Sequence, residues 1–223
     1  MTNIHEFMKN RESSVTSVVD GKTIIDFFNQ NADDYPDYPA LNTPINDEYS
    51  GWNSTSWSEY REMVHNLASG LIDIGFSAGE NGFIVSDNTK EHFISDLAIM
   101  HAGGTPSTIY KQLKSGQIEY IANLLDAKIA FVGNAELFDE VNEAKKNSTN
   151  LKYLIMIEDF EDYKDLDYVL SFSDLIERGK DINSTDRSKL DEAISSVSPD
   201  SLACLIFTSG TTGNPKGVMI THE

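Results

Sequence analysis

The chain has 223 residues, of which 39% are hydrophobic, and its 36 acidic and 17 basic side chains give a formal charge of −19. That length suits one large domain or two small ones. So large an acidic excess argues against a nucleic-acid partner, whose phosphates it repels at long range, and against a polybasic membrane anchor.

In chain order, residues 1–20 read as a loosely ordered tail ahead of a domain over residues 21–223. Thr23 to Asp33 reads as a short helix, with Thr23 as N-cap, Asp26 three residues on, and Ile24, Phe27 and Phe28 on its apolar face. Tyr35 to Pro39 ends it, because its prolines forbid continuation. Ser58 to Ile74 is the clearest helix: Tyr60, Met63, Val64, Leu67, Ala68 and Leu71 recur at i, i+3, i+4, and Gly75 follows as a stop. His65 falls on its polar side.

Phe83–Val85 is a short apolar strand. Thr89 can cap the next helix, which carries Phe93, Ile94, Leu97, Ala98 and Met100 and ends at Gly103-Gly104. Thr105 to Ile109 reads as a strand. Ser115 is placed to cap a helix with Ile118, Ile121, Ala122 and Leu125 inward. Lys128–Val132 is a strand, Ala135–Lys145 a helix and Leu151–Ile157 a strand. Glu158 to Asp167 is an acidic surface loop without the glycine and terminal glutamate of an EF-hand. A short helix is expected over Ser171–Gly179 and another around Leu190–Val197, before a strand that starts at Leu202. Strands alternating with helices, most of them continuous apolar runs, predict an α/β fold with a largely parallel sheet flanked by helices on both faces.

The lone Cys204 excludes an internal disulfide and reads as a small core residue. No segment approaches the ~18–20 apolar residues of a membrane span. The polar N-terminus lacks a signal peptide's apolar block, so the default location is cytoplasmic.

The run from Leu205 to Val218 carries the chemistry. It starts as an apolar strand and breaks into Thr208-Ser209-Gly210-Thr211-Thr212-Gly213-Asn214-Pro215-Lys216-Gly217. Gly210, Gly213 and Gly217 let backbone N–H groups converge on an anion. Thr208, Ser209, Thr211 and Thr212 add rotatable O–H donors, and Lys216 adds a compact positive charge. A Walker A loop is excluded, since no hydroxyl residue follows Lys216 before Thr221. The loop leads into Val218–Ile220, a strand whose partner is expected outside this sequence. Its exposed edge would favour self-association.

Thr208 to Gly217 matches at every fixed position the phosphate-loop pattern Thr-Ser-Gly-Thr-Thr-Gly-x-Pro-Lys-Gly. In this it resembles the adenylate-forming superfamily of acyl-CoA synthetases, peptide-synthetase adenylation domains and firefly luciferase. Tyr60 to Ile74, Asp87 to Tyr110 and Ser115 to Gly133 are similar to the N-terminal region of long-chain fatty-acid–CoA ligases. In one respect the chain differs: Gln112 replaces the threonine of the Tyr-x-Thr-Leu found in many of those ligases.

The resemblance implies that a carboxylate, here a fatty acid, attacks MgATP to give an acyl-adenylate, from which coenzyme A displaces AMP. Lys216 would be catalytic, and Thr208, Ser209, Gly210, Thr211, Thr212, Gly213, Lys216 and Gly217 would hold the ATP phosphates. The Mg2+-binding glutamate, the adenine segment, the ribose-binding aspartate and the C-terminal lysine of that family are expected beyond Glu223. This makes the sequence the N-terminal part of a larger ligase, inactive alone. Peripheral membrane association of the full-length enzyme stays open. Also open are transfer to a tethered phosphopantetheine, as in peptide synthetases or carboxylic acid reductases, and a non-catalytic module retaining the loop.

Overall fold

A computed structural model of the chain describes residues 18–45, 50–208 and 215–223. Most of the expected tail, residues 1–17, lies outside the described residues. The first helix, α1 (Ile24–Asp34), starts as its sequence predicts. The Asp26 amide donates to Thr23 Oγ1, and the Thr23 amide donates back to Asp26 Oδ2 at 2.7 Å. A hairpin of β1 (Pro39–Pro44) and β2 (Trp52–Ser56) follows, antiparallel and mostly polar. Next comes α2 (Trp57–Asp73). It starts one residue ahead of the expected Ser58, with Ser56 as N-cap, because Ser56 and Glu59 satisfy each other's backbone amides.

The centre of the molecule is a parallel five-stranded sheet built from β3 (Asn81–Val85), β4 (Thr105–Thr108), β5 (Ala127–Val132), β6 (Tyr153–Met156) and β7 (Val169–Ser171). Its strand order is β4-β3-β5-β6-β7. Crossover helices α3 (Lys90–His101), α4 (Ser115–Leu124) and α5 (Ala135–Asn147) join the first four of these strands in sequence. Alternate residues of each strand face opposite sides. Ile84, Ile129, Phe131 and Ile155 pack beneath α2 and α3, whereas Val85, Ala130, Val132 and Leu154 pack beneath α4 and α5. Both faces are therefore covered, as the apolar runs predict. Two caps differ from expectation. Thr89 makes no capping bond, and its Oγ1 is buried without a partner among the described residues. Ser115 is the first residue of α4, where its amide donates instead to Glu140 on α5.

After β7 the chain forms α6 (Phe172–Thr185) and α7 (Ser188–Ser196). The expected stop at Gly179 does not occur, because this glycine is a packing position. A Cβ there would lie 1.8 Å from the Asn66 carbonyl oxygen, and one at Gly70 would lie 2.3 Å from that of Leu175. Helices α2 and α6 therefore cross backbone against backbone. Beside the crossing, Asn183 accepts from Ser69 Oγ at 2.7 Å and donates to Asn66 Oδ1 at 2.9 Å. The final elements are β8 (Leu202–Thr208) and β9 (Lys216–Thr221), paired antiparallel. Val218–Ile220, expected to find its partner outside this sequence, pairs with β8 instead.

His65 is not on a solvated face. Its ring lies 5.3 Å from that of the fully buried His101, which in turn meets Phe28 edge-on. The His101 Nδ1–H donates to the Leu97 carbonyl, while its Nε2 and His65 Nε2 have no partner among the described residues. Burial, then the neighbouring His101, Arg187 and Arg61, push the His65 pKa down to about 3. Burial pushes that of His101 down to about 4.

Two predictions follow from these contacts. In an exposed helix, Gly→Ala stabilises by about 1 kcal/mol. Here Gly179→Ala is expected to destabilise by about 3 kcal/mol or more, since backbone must move to admit the methyl; the midpoint of urea unfolding measures this. The histidines give a pH dependence. The unfolded chain takes up both protons below about pH 6.5, whereas the folded chain takes them up only near 4 and 3. Stability is thus highest above pH 6.5 and falls as the pH drops. Asp96 opposes this, because burial raises its pKa to about 6. The net loss is on the order of 1 kcal/mol per pH unit as pH falls below about 6. Asp96→Asn should steepen the fall, as urea midpoints measured across the pH series would show.

Candidate phosphate-loop site

Strand β8 runs along the outer side of β4 without entering its ladder. The Thr105 and Ile109 amides donate inward to the Glu80 and Ile84 carbonyls. The alternate residue Pro106 therefore turns its donor-less nitrogen outward, where β8 lies. Side chains make the join instead: Ser107 Oγ donates to the Leu205 carbonyl at 2.7 Å, and Thr105 Oγ1 reaches that of Leu202 at 3.5 Å. Phe207 and Ala203 anchor the ribbon by burial. At its far end the amides of His222 and Glu223 donate to the Ser201 and Pro199 carbonyls. His222 Nδ1 accepts from the Ile24 amide, an otherwise unpaired donor in the first turn of α1. That bond, together with a pKa lowered by burial, fits a structural role and not that of a base.

The ribbon's register places Lys216 directly opposite Thr208 and Gly217 opposite Phe207. Directly paired residues project their side chains to the same face, so Thr208 and Lys216 flank the same mouth. Both are exposed. Ser209, Gly210, Thr211, Thr212 and Gly213 lie outside the described residues. At Gly217 a Cβ would meet only the Phe207 ring, at 3.5 Å, which is ordinary contact. Packing among the described residues therefore does not require a glycine there. Cys204 sits half-buried behind the mouth, its thiol pKa raised by burial and by Asp96. It is thus only partly the core residue expected, standing outside both apolar clusters, and its raised pKa makes it a poor nucleophile.

One arrangement was not legible in the sequence. Ser86 Oγ lies 2.8 Å from His92 Nδ1, and His92 Nε2 lies 3.0 Å from Thr108 Oγ1. Among the described residues no carboxylate bonds to either nitrogen of His92. The three residues tie the C-terminal ends of β3 and β4 to the start of α3, just ahead of the Tyr110–Leu113 segment. No spacing rule joins positions so far apart in the chain.

The described residues form a parallel α/β sheet covered on both faces, followed by the strand pair that carries Thr208 and Lys216. Residues 28–223 match the AMP-binding enzyme family model, and the chain belongs to that family. It is 32% identical over 201 residues to the long-chain-fatty-acid–CoA ligase ACSBG2 of Xenopus laevis, covering 90% of this chain and 26% of that protein. It is 28% identical to the long-chain-fatty-acid–CoA ligase heimdall of Drosophila melanogaster, over all of this chain and 33% of that one. The crystal structure of the anthranilate CoA ligase AuaEII with anthranoyl-AMP shares the fold, with a TM-score of 0.75 at 20% identity over 91% of this chain and 35% of that one. The chain thus spans about a quarter to a third of the length of the curated relatives it matches.

Ser107→Ala should leave the central sheet intact and loosen the ribbon. Loss of the bond to the Leu205 carbonyl is expected to cost about 1–2 kcal/mol. Hydrogen exchange should quicken across residues 202–208 and stay unchanged in β3 and β5.

Proposed function

We propose that this chain supplies the ATP-phosphate site of an AMP-forming ligase that activates a fatty acid and passes it to coenzyme A. The observation that carries the reading is the register that sets Lys216 across from Thr208 at the mouth of the loop. A carboxylate resists nucleophilic attack because of its charge. Its oxygen instead attacks the α-phosphorus of ATP; the bond from that phosphorus to the bridging oxygen breaks, and pyrophosphate leaves. The coenzyme A thiolate then attacks the acyl carbon of the mixed anhydride and AMP departs with the bonding pair.

Charge accumulates on the β- and γ-phosphates as pyrophosphate leaves. Lys216, the hydroxyls of Thr208, Ser209, Thr211 and Thr212, and the loop amides oppose that charge, and Gly210, Gly213 and Gly217 let the phosphates come close. Mg2+ would neutralise further phosphate charge, and no residue of this chain is assigned to it. The long-chain fatty acid is favoured as substrate by the two curated relatives. No helix among the described residues is long and apolar enough to cross a membrane, and we place the reaction in the cytoplasm.

Lys216→Ala, made in the protein that carries this chain, is expected to slow fatty-acid-dependent exchange of pyrophosphate into ATP by ~100-fold, or about 3 kcal/mol of transition-state stabilisation. Lys216 is exposed, so stability should change by no more than about 0.5 kcal/mol. Exchange at the wild-type rate would refute the assignment.

A further inference from the structure

The cationic side chains of this acidic protein are not evenly spread. Between α2, α6 and the turn into α7 lies a cavity of about 480 Å3 whose lining includes Arg61, Lys180 and Arg187 against one carboxylate, Glu62. We propose that this cavity binds a small phosphate-bearing anion, at a site separate from the Thr208–Gly217 loop and independent of the function proposed for it.

Arg61 is held by Asp33 and Arg187 by Asp191, one carboxylate each, both more than half exposed. Such surface pairs contribute little and are readily exchanged. A guanidinium offers five N–H donors in a planar fork, so one carboxylate leaves each arginine with capacity for a second oxyanion. Lys180 has no carboxylate partner among the described residues. Asn183, in the same lining, is fixed by its bonds to Ser69 and Asn66.

His65 also lines the cavity, with its Nε2 buried and unpaired. It has His101 behind it, Arg61 and Arg187 beside it, and Glu62 and Lys180 on the same lining. Burial first, then His101, Arg187 and Arg61, disfavour a proton on this imidazole, and an anion here would offset the arginines' share. Two arginine forks and an ammonium suit phosphate oxygens, which accept bidentate bonds.

The test follows the His65 ring proton signals by NMR while inorganic pyrophosphate, or phosphate, is added to the chain. Saturable shifts are expected, with pyrophosphate the tighter ligand. Arg187→Ala and Lys180→Ala, both exposed positions, should each weaken binding at least 10-fold, and Lys216→Ala should leave it unchanged. Three results would overturn the proposal: no shift at His65, the same shift from sodium chloride at equal ionic strength, or binding lost with Lys216→Ala but kept in the Arg187 and Lys180 variants. The last result would still leave the loop assignment standing.

Discussion

The distance at which α2 and α6 cross governs one whole side of this molecule. Helices that meet through side chains sit 8–10 Å apart. Gly70 and Gly179 remove the side chains at the contact, so carbonyl oxygens occupy the space where Cβ atoms would be. That close approach brings Asn183 within reach of Ser69 and Asn66. It also sets Phe172 and Leu175 into the core above Phe131 and Ile155. The position of α6 in turn fixes where Lys180 and Arg187 stand relative to Arg61 and His65.

The other side of the sheet follows a different logic. There α4 and α5 cover the strands through ordinary apolar packing, and Glu140 links them by accepting from the first amide of α4. The ribbon that carries Thr208 and Lys216 is attached at the β4 edge, where Pro106 denies the ladder a donor and Ser107 and Thr105 provide hydroxyls. The proposed phosphate site is thus mounted on a rigid sheet but is not part of it.

Much of this was legible because it is local. The Thr23–Asp26 cap and the apolar runs of β3 and β5 involve neighbours in sequence, and the structure follows them. What was missed is short, polar or distant. β7 has three residues, too few to show a period, and β1 and β2 are too polar to alternate. Gly179 looked like a helix stop because glycine's commonest role at such a position is to end a helix. Its real partner, Asn66, is remote in sequence. His65 looked solvated for the same reason, since the ring that covers it belongs to α3. Of the loop motif, the residue types were legible, but the pairing of Thr208 with Lys216 was not, because it depends on β9 turning back onto β8.

The hydroxyl attachment of β8 to β4 has a mechanical consequence. A backbone ladder shifts only in whole residues, and a one-residue slip turns every side chain to the opposite face. Two side-chain bonds impose no such step. Local opening of such an attachment is expected to cost less than unfolding the sheet. Burial of Ala203 and Phe207 and the Ile24–His222 bond complete the attachment, so where the Thr208–Lys216 pair stands against the sheet is set by packing and side-chain bonds and not by a backbone ladder.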